Sequence, residues 1–185
     1  MITNRPIKIL LITNSFILLT GAMLGPIYAI FVEQIGGSLL DASLAGGVFA
    51  LAAGITVLIS GRYTDKVKEP ELIIVFGYVI VGFGFIMYVF VNSLWSLLLV
   101  QVIVGLGEAI YSPSFDAVYS QHLKKGRAGR EWSLWEAMFY FTAAIGAIMG
   151  GIIVTYLGFS SLFTVMAILC FGSAYYIYSL PRSLL

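Results

Sequence analysis

Residues 94–131 read LWSLLLVQVIVGLGEAIYSPSFDAVYSQHLKKGRAGRE, and the fold class turns on them. From Leu94 to Gln121 there is no base, and the only acids are Glu108 and Asp116. A bilayer core about 30 Å thick is crossed by about 20 apolar residues of helix, a length this stretch supplies. Four bases then crowd into the next few residues: Lys124, Lys125, Arg127 and Arg130. A largely apolar run without bases that ends in a basic cluster is the pattern of a membrane span stopping at a cytoplasmic surface.

The rest of the chain repeats that pattern. Of its 185 residues, 60% are hydrophobic and 10% charged, where a soluble domain carries about 25% charge. Further spans are predicted at about 7–32, 43–63, 72–91, 134–157 and 159–180, so residues 1–185 read as a single all-α domain of six transmembrane helices. The first apolar run follows Arg5 and Lys8 as a secretory leader would, but it is far longer than the roughly 7–15 residues of a leader core, so it is read as a span. All ten lysines and arginines fall in alternate breaks: Arg5 and Lys8, then Arg62, Lys66 and Lys68, then the four after Gln121, then Arg182. The intervening breaks hold Glu33 and Asp41 and no base. The expectation is a multi-pass protein of the plasma (inner) membrane with both termini cytoplasmic.

Polar residues inside the spans are the candidate site. A carboxylate within a membrane is costly and is a functional hypothesis by default. Glu108 is the clearest case: at 100° per residue it shares a helix face with Gln101 and Ser112, with Tyr111 beside it. It can exchange a proton, bind a cationic solute, or serve as a neutral hydrogen-bonding group between helices. In the first span Asn14 and Tyr28 lie along a stripe with Gly21 and Gly25, either contacting substrate or packing. In the fifth, Glu136 and Tyr140 share a face with Ala143. Glu136 is read as a second proton-coupling residue or as the partner of Arg130 near the cytoplasmic end. Pro113 bends the fourth span and frees backbone carbonyls for other donors.

Twenty glycines stand in the chain, many at spacings that let helices approach closely. Gly47, Gly54 and Gly61 follow one face of the second span, which is expected to pack within the chain or against another subunit. No phosphate-binding glycine loop, nucleophile elbow or paired metal ligands are present, so neither an enzyme nor a cofactor or metal is expected. His122 stands alone beside Lys124. The basic fourth break fits topology better than nucleic-acid binding. Cys170 has no partner for an intrachain disulfide and is read as apolar filler.

Gly61-Arg62-Tyr63-Thr64-Asp65-Lys66 resembles the loop between the second and third helices of the major facilitator superfamily, with Gly61, Asp65 and Lys66 matching its glycine, acid and base. Lys68 and Glu69 stand where that family has a second glycine and a base. Gly146-Ala147-Ile148-Met149-Gly150-Gly151 is similar to the glycine-rich end of its antiporter motif, with Ala147 in place of a proline. Leu157–Phe163 looks like its short external turn before the sixth helix.

The resemblance implies one half of the facilitator fold: six helices as two inverted three-helix repeats. It also implies alternating access to a small or amphipathic organic substrate and a helix 4 that lines the cavity. Asp65, Lys66, Asp116 and Arg130 would form a cytoplasmic gate, with Gly146, Gly150 and Gly151 closing helix contacts. A second six-helix half is then required. The expected arrangement is a parallel homodimer, the alternatives being a different partner chain, a non-transporting assembly or regulatory subunit, or the N-terminal half of a longer twelve-helix transporter.

Overall fold

The computed structural model describes residues 4–181 and 184; Arg182, counted above among the bases of one side, lies outside them. Six α-helices and one 3-10 turn account for most of these residues, and none of them is in a strand. Helix α1 (Arg5–Leu24) passes through the turn Gly25–Ile27 into α2 (Tyr28–Gln34). Pro26 lies in that turn, where its missing N–H breaks the α-helical ladder. Helix α3 spans Leu39–Thr64, α4 Pro70–Tyr88, α5 Leu94–Gln121 and α6 Ala128–Ser179.

Local sequence explains the boundaries. Ser38 caps α3 reciprocally with Asp41, the Asp41 N–H donating to the Ser38 hydroxyl at 3.3 Å and the Ser38 N–H to the Asp41 carboxylate at 2.7 Å. Ser93 and Ser96 do the same for α5. Pro70 opens α4, where its lack of an N–H costs nothing. Gly36, at φ 83°, turns the chain after α2 in a conformation that side chains disfavour.

Among the described residues five helical stretches are long and apolar enough to cross a membrane: Arg5–Gln34 through the turn, Leu39–Thr64, Pro70–Tyr88, Leu94–Gln121 and Ala128–Ser179. Between the expected spans 134–157 and 159–180 the backbone kinks at Gly158, φ 78° and ψ 172°, and two helices join there to make up the 52-residue stretch α6. It begins at Ala128, ahead of the apolar run, because hydropathy measures the membrane-compatible part of a helix and Arg130 and Glu131 extend it beyond that part.

Close approaches at glycine hold the bundle together. A Cβ on Gly150 would overlap the backbone of Met23, and one on Gly146 would lie 2.6 Å from Ala22 Cβ, so α6 rests directly on α1 ahead of Gly158. After Gly158 it packs on α4, with Phe171 3.0 Å from the Cβ position of Gly82. Gly77 of α4 admits Tyr111 of α5. The most buried large side chains, among them Tyr78, Tyr119, Leu162, Phe163 and Met166, fill the space between these elements.

Helix α3 is different. Only Ala42, Ala45 and Thr64 of its residues are buried. It meets α5 through Phe49, Ala52 and Ala53 against Gly105 and, farther along, through Ser60 and Thr64. Gly47 and Gly54 face open space, so the glycine face makes no within-chain contact along most of its length; Gly61 alone approaches a neighbour, its Cβ position 4.0 Å from Pro113. The face turned inward is the one carrying Phe49, because Gly105 leaves room there for backbone-close packing.

Candidate functional site

A cavity of about 520 Å³ opens between α1, α3, α4, α5 and the first part of α6. Its wall brings together four of the residues singled out from sequence: Tyr28, Gln101, Glu108 and Tyr111. Most of the remainder is apolar or aromatic, including Phe49, Phe85, Tyr88 and Phe139. Gln101 Nε2 donates to the Tyr28 hydroxyl at 2.6 Å, so the polar group of α5 is tied across the cavity to the start of α2. Glu108 is the one charged residue on this wall. It has no hydrogen-bonding or ionic partner among the described residues. An unpartnered carboxyl in an apolar cavity is available to a proton or to a cationic group.

Three expected substrate contacts lie elsewhere. Asn14 is buried beneath the cavity, where its Nδ2 donates to the Tyr78 hydroxyl at 3.3 Å, and Tyr78 meets Tyr111 edge-on at 4.8 Å between centroids. Ser112 is half-buried off the wall, and Tyr140 is exposed on the outside of α6. The reason for the last is rotation. Gly146 and Gly150 fix which side of α6 meets α1, and steps of three, four and seven residues back from Gly146 bring Ala143, Thr142 and Phe139 to the cavity instead.

The cytoplasmic-gate candidates are spread out. Asp116 and Glu136 border a second cleft of about 600 Å³ with Trp132 and Trp135, whose indole N–H has no acceptor among the described residues. Asp65, Lys66 and Arg130 are exposed. Among the described residues Asp65, Asp116 and Glu136 make no ion pair with Arg62, Lys66 or Arg130, so the expected Glu136–Arg130 pair is not formed. Hydroxyl groups join these helices instead. Thr64 and Ser114 share a hydrogen bond of 2.8 Å, and Ser60 donates to the carbonyl of Ala109 at 2.5 Å. Pro113, four residues on, has no N–H to offer that carbonyl, so Ser60 of α3 fills the vacancy. The loop after α5 is fastened by Tyr119, whose hydroxyl donates to the Glu131 carbonyl, and by the Lys124 N–H on the Glu131 carboxylate at 2.9 Å.

Gly146, Gly150 and Gly151 diverge in role: the first two are the α1 contact, whereas Gly151 has open space beside it. Sequence reasoning missed Phe85, Tyr88 and Thr142 as cavity residues. An aromatic in an apolar span carries no local mark of the side it faces.

The family model described as Major Facilitator Superfamily matches residues 10–184, nearly the whole chain. The chain belongs to the Major Facilitator Superfamily. This member is 25% identical over 150 residues to an uncharacterized MFS-type transporter of Methanocaldococcus jannaschii, covering 81% of this chain and 39% of that protein. It is 25% identical over 183 residues to the multidrug resistance protein MdtG of Salmonella schwarzengrund, covering 96% of this chain and 45% of that one. MdtG of Salmonella arizonae matches to the same extent. The chain thus spans less than half the length of these relatives. This facilitator chain is an integral, multi-pass membrane protein of a transporter family, and its helices have the length and composition of membrane spans.

Proposed function

We propose that this chain is one half of a secondary transporter of the facilitator type, working by alternating access on a small or amphipathic organic solute with proton exchange at Glu108. In this reading α6 crosses the membrane twice, turning at Gly158, so that the chain makes six crossings built as two inverted three-helix repeats. A straight helix of 52 residues would be about 78 Å long at 1.5 Å per residue, more than twice the bilayer core. The two sides of Gly158 also pack on different helices, α1 before it and α4 after it. Both termini then lie in the cytoplasm of a cell bounded by this plasma membrane, as the distribution of bases predicts. The second half is another copy of the chain, related by an axis along the membrane normal.

One observation carries the mechanism: Glu108 is the sole charge on the wall of an otherwise largely apolar and aromatic cavity. An amphipathic solute can leave its apolar part against Phe49, Phe85 and Phe139. Glu108 exchanges a proton as the cavity faces each side in turn. Asp116 and Glu136 hold the cytoplasmic mouth, closing with Lys66 and Arg130 in another conformation of the cycle.

The test is flux in proteoliposomes under an imposed pH gradient, with a lipophilic cationic dye and an uncharged aromatic dye as probes. Glu108→Gln keeps the shape of the side chain and removes its titration. Proton-driven movement is expected to vanish while facilitated equilibration of the uncharged dye persists. Undiminished driven movement in Glu108→Gln would remove Glu108 from proton coupling.

A further inference from the structure

Tyr88 lines two cavities at once. It belongs to the wall of the central cavity and also to that of a third cavity of about 310 Å³ at the other end of the bundle, near Gly158. The third cavity carries no charge; its polar residues Gln34, Asn92 and Ser160 are all exposed. Between the two spaces stands an aromatic group: Tyr88 with Phe163 at 4.8 Å, Tyr88 with Phe31 at 5.7 Å, and Phe31 with Phe163 at 5.0 Å between centroids. Only Tyr88 of these three reaches both cavities.

The Tyr88 ring is buried, but it stands at a helix end. Tyr88 is the last residue of α4, and beyond it the backbone closes with short-range bonds, Val89 N–H to the Ile86 carbonyl and Phe90 N–H to the Met87 carbonyl. Helix ends of this kind open at lower free energy than helix interiors. The Tyr28 hydroxyl, which accepts from Gln101, lies on the same cavity wall as Tyr88.

We propose that Tyr88 is a movable partition between the central cavity and an external vestibule, giving small solutes a path into the cavity through this chain itself. This path is separate from the open side of the cavity, where a second half would stand. That the vestibule is external rests on the topology proposed above; the partition does not.

Thiol accessibility separates the two. In a Cys170→Ala background, Val104→Cys reports on the central cavity and Asn92→Cys on the vestibule, with a membrane-impermeant quaternary ammonium methanethiosulfonate added to one side of sealed vesicles. Reaction of Asn92→Cys only from the inside would overturn the topology, and the Tyr88 measurements would then be made from that side. From the vestibule side, labelling of Val104→Cys is expected to be faster with Tyr88→Leu than with Tyr88→Trp by about tenfold, with the unchanged Tyr88 between them. Prior modification of Ser160→Cys with a bulky maleimide should abolish the acceleration by Tyr88→Leu. Equal rates across the Tyr88 series, or acceleration that survives the block at residue 160, would overturn the partition. Thermal melting of each variant identifies any that do not fold, and Tyr88→Trp, which retains an aromatic ring, decides the matter if Tyr88→Leu does not.

Discussion

The two parts of α6 on either side of Gly158 are both rich in apolar residues and are packed quite differently. Ahead of Gly158 only Gly146 and Gly150 are buried, whereas after it Phe159, Leu162, Phe163, Met166, Ala167, Cys170, Ser173, Ala174 and Ile177 all are. Helix α3 resembles the first part, with three buried residues, and α5 resembles the second, with twelve. In water such a difference would be written as polar residues on the exposed side. In a membrane it need not be, because lipid tails are as apolar as leucine and impose no such sorting. The lesson is that contact within this bundle is selected by size: glycine where backbones touch, aromatic and branched residues where they do not.

The strongest way to break that contrast is to place the same side chain at adjacent glycines. Gly150→Leu drives a side chain into the backbone of Met23, and overpacking of this kind is expected to cost about 3 kcal/mol. Gly151→Leu enters open space and is expected to stay within about 0.5 kcal/mol of the parent. Thermal unfolding in mild detergent, followed by tryptophan fluorescence, should show a large fall in Tm for the first and little change for the second. Equal falls would mean that α6 does not rest on α1 through Gly150.

How much of this was legible in the sequence follows from the same physics. Helix existence and membrane class were readable, since span length and charge exclusion are imposed by the bilayer on every residue of a span. Glu108, Gln101, Tyr28 and Tyr111 were readable as cavity residues because polar groups in apolar helices have few places to go. The rotation of α6 was not: Tyr140 and Phe139 are both aromatic, and only the seating of Gly146 and Gly150 on α1 decides which of them reaches the cavity. The glycine face of α3 was read as packing within the chain or against another subunit, and within the chain only its Gly61 approaches a neighbour. Asn14 was read as contacting substrate or packing; its partner Tyr78, 64 residues away, was not legible.

A smaller effect tests the joint between the open α3 and the packed α5. Ser60 donates to the Ala109 carbonyl that Pro113 leaves without its usual donor. Ser60→Ala should therefore destabilise the protein by about 1 kcal/mol, within the range measured for hydrogen bonds between membrane helices. Pro113→Ala restores an N–H four residues after Ala109. In that background the cost of Ser60→Ala should fall, giving a coupling of at least about 0.5 kcal/mol in a double-mutant cycle of thermal or denaturant stability. Strict additivity would mean that Ser60 holds α3 for some other reason.

The smallest expected change in stability is the most informative about what lies outside the bundle. Gly54 faces open space on α3, so Gly54→Leu should alter the melting of an isolated chain by less than about 0.5 kcal/mol. If a second copy lies against this face, the same substitution separates the copies by the width of a side chain. The two-copy fraction in mild detergent should then drop, and Gly54→Cys, in a chain lacking Cys170, should crosslink through its own symmetry mate. Loss of association without loss of melting temperature would make the α3 glycines an intersubunit surface, which is where their close-approach spacing has a use. Unchanged association would move the partner's seat to the first part of α6, the other side of the cavity left open by this chain.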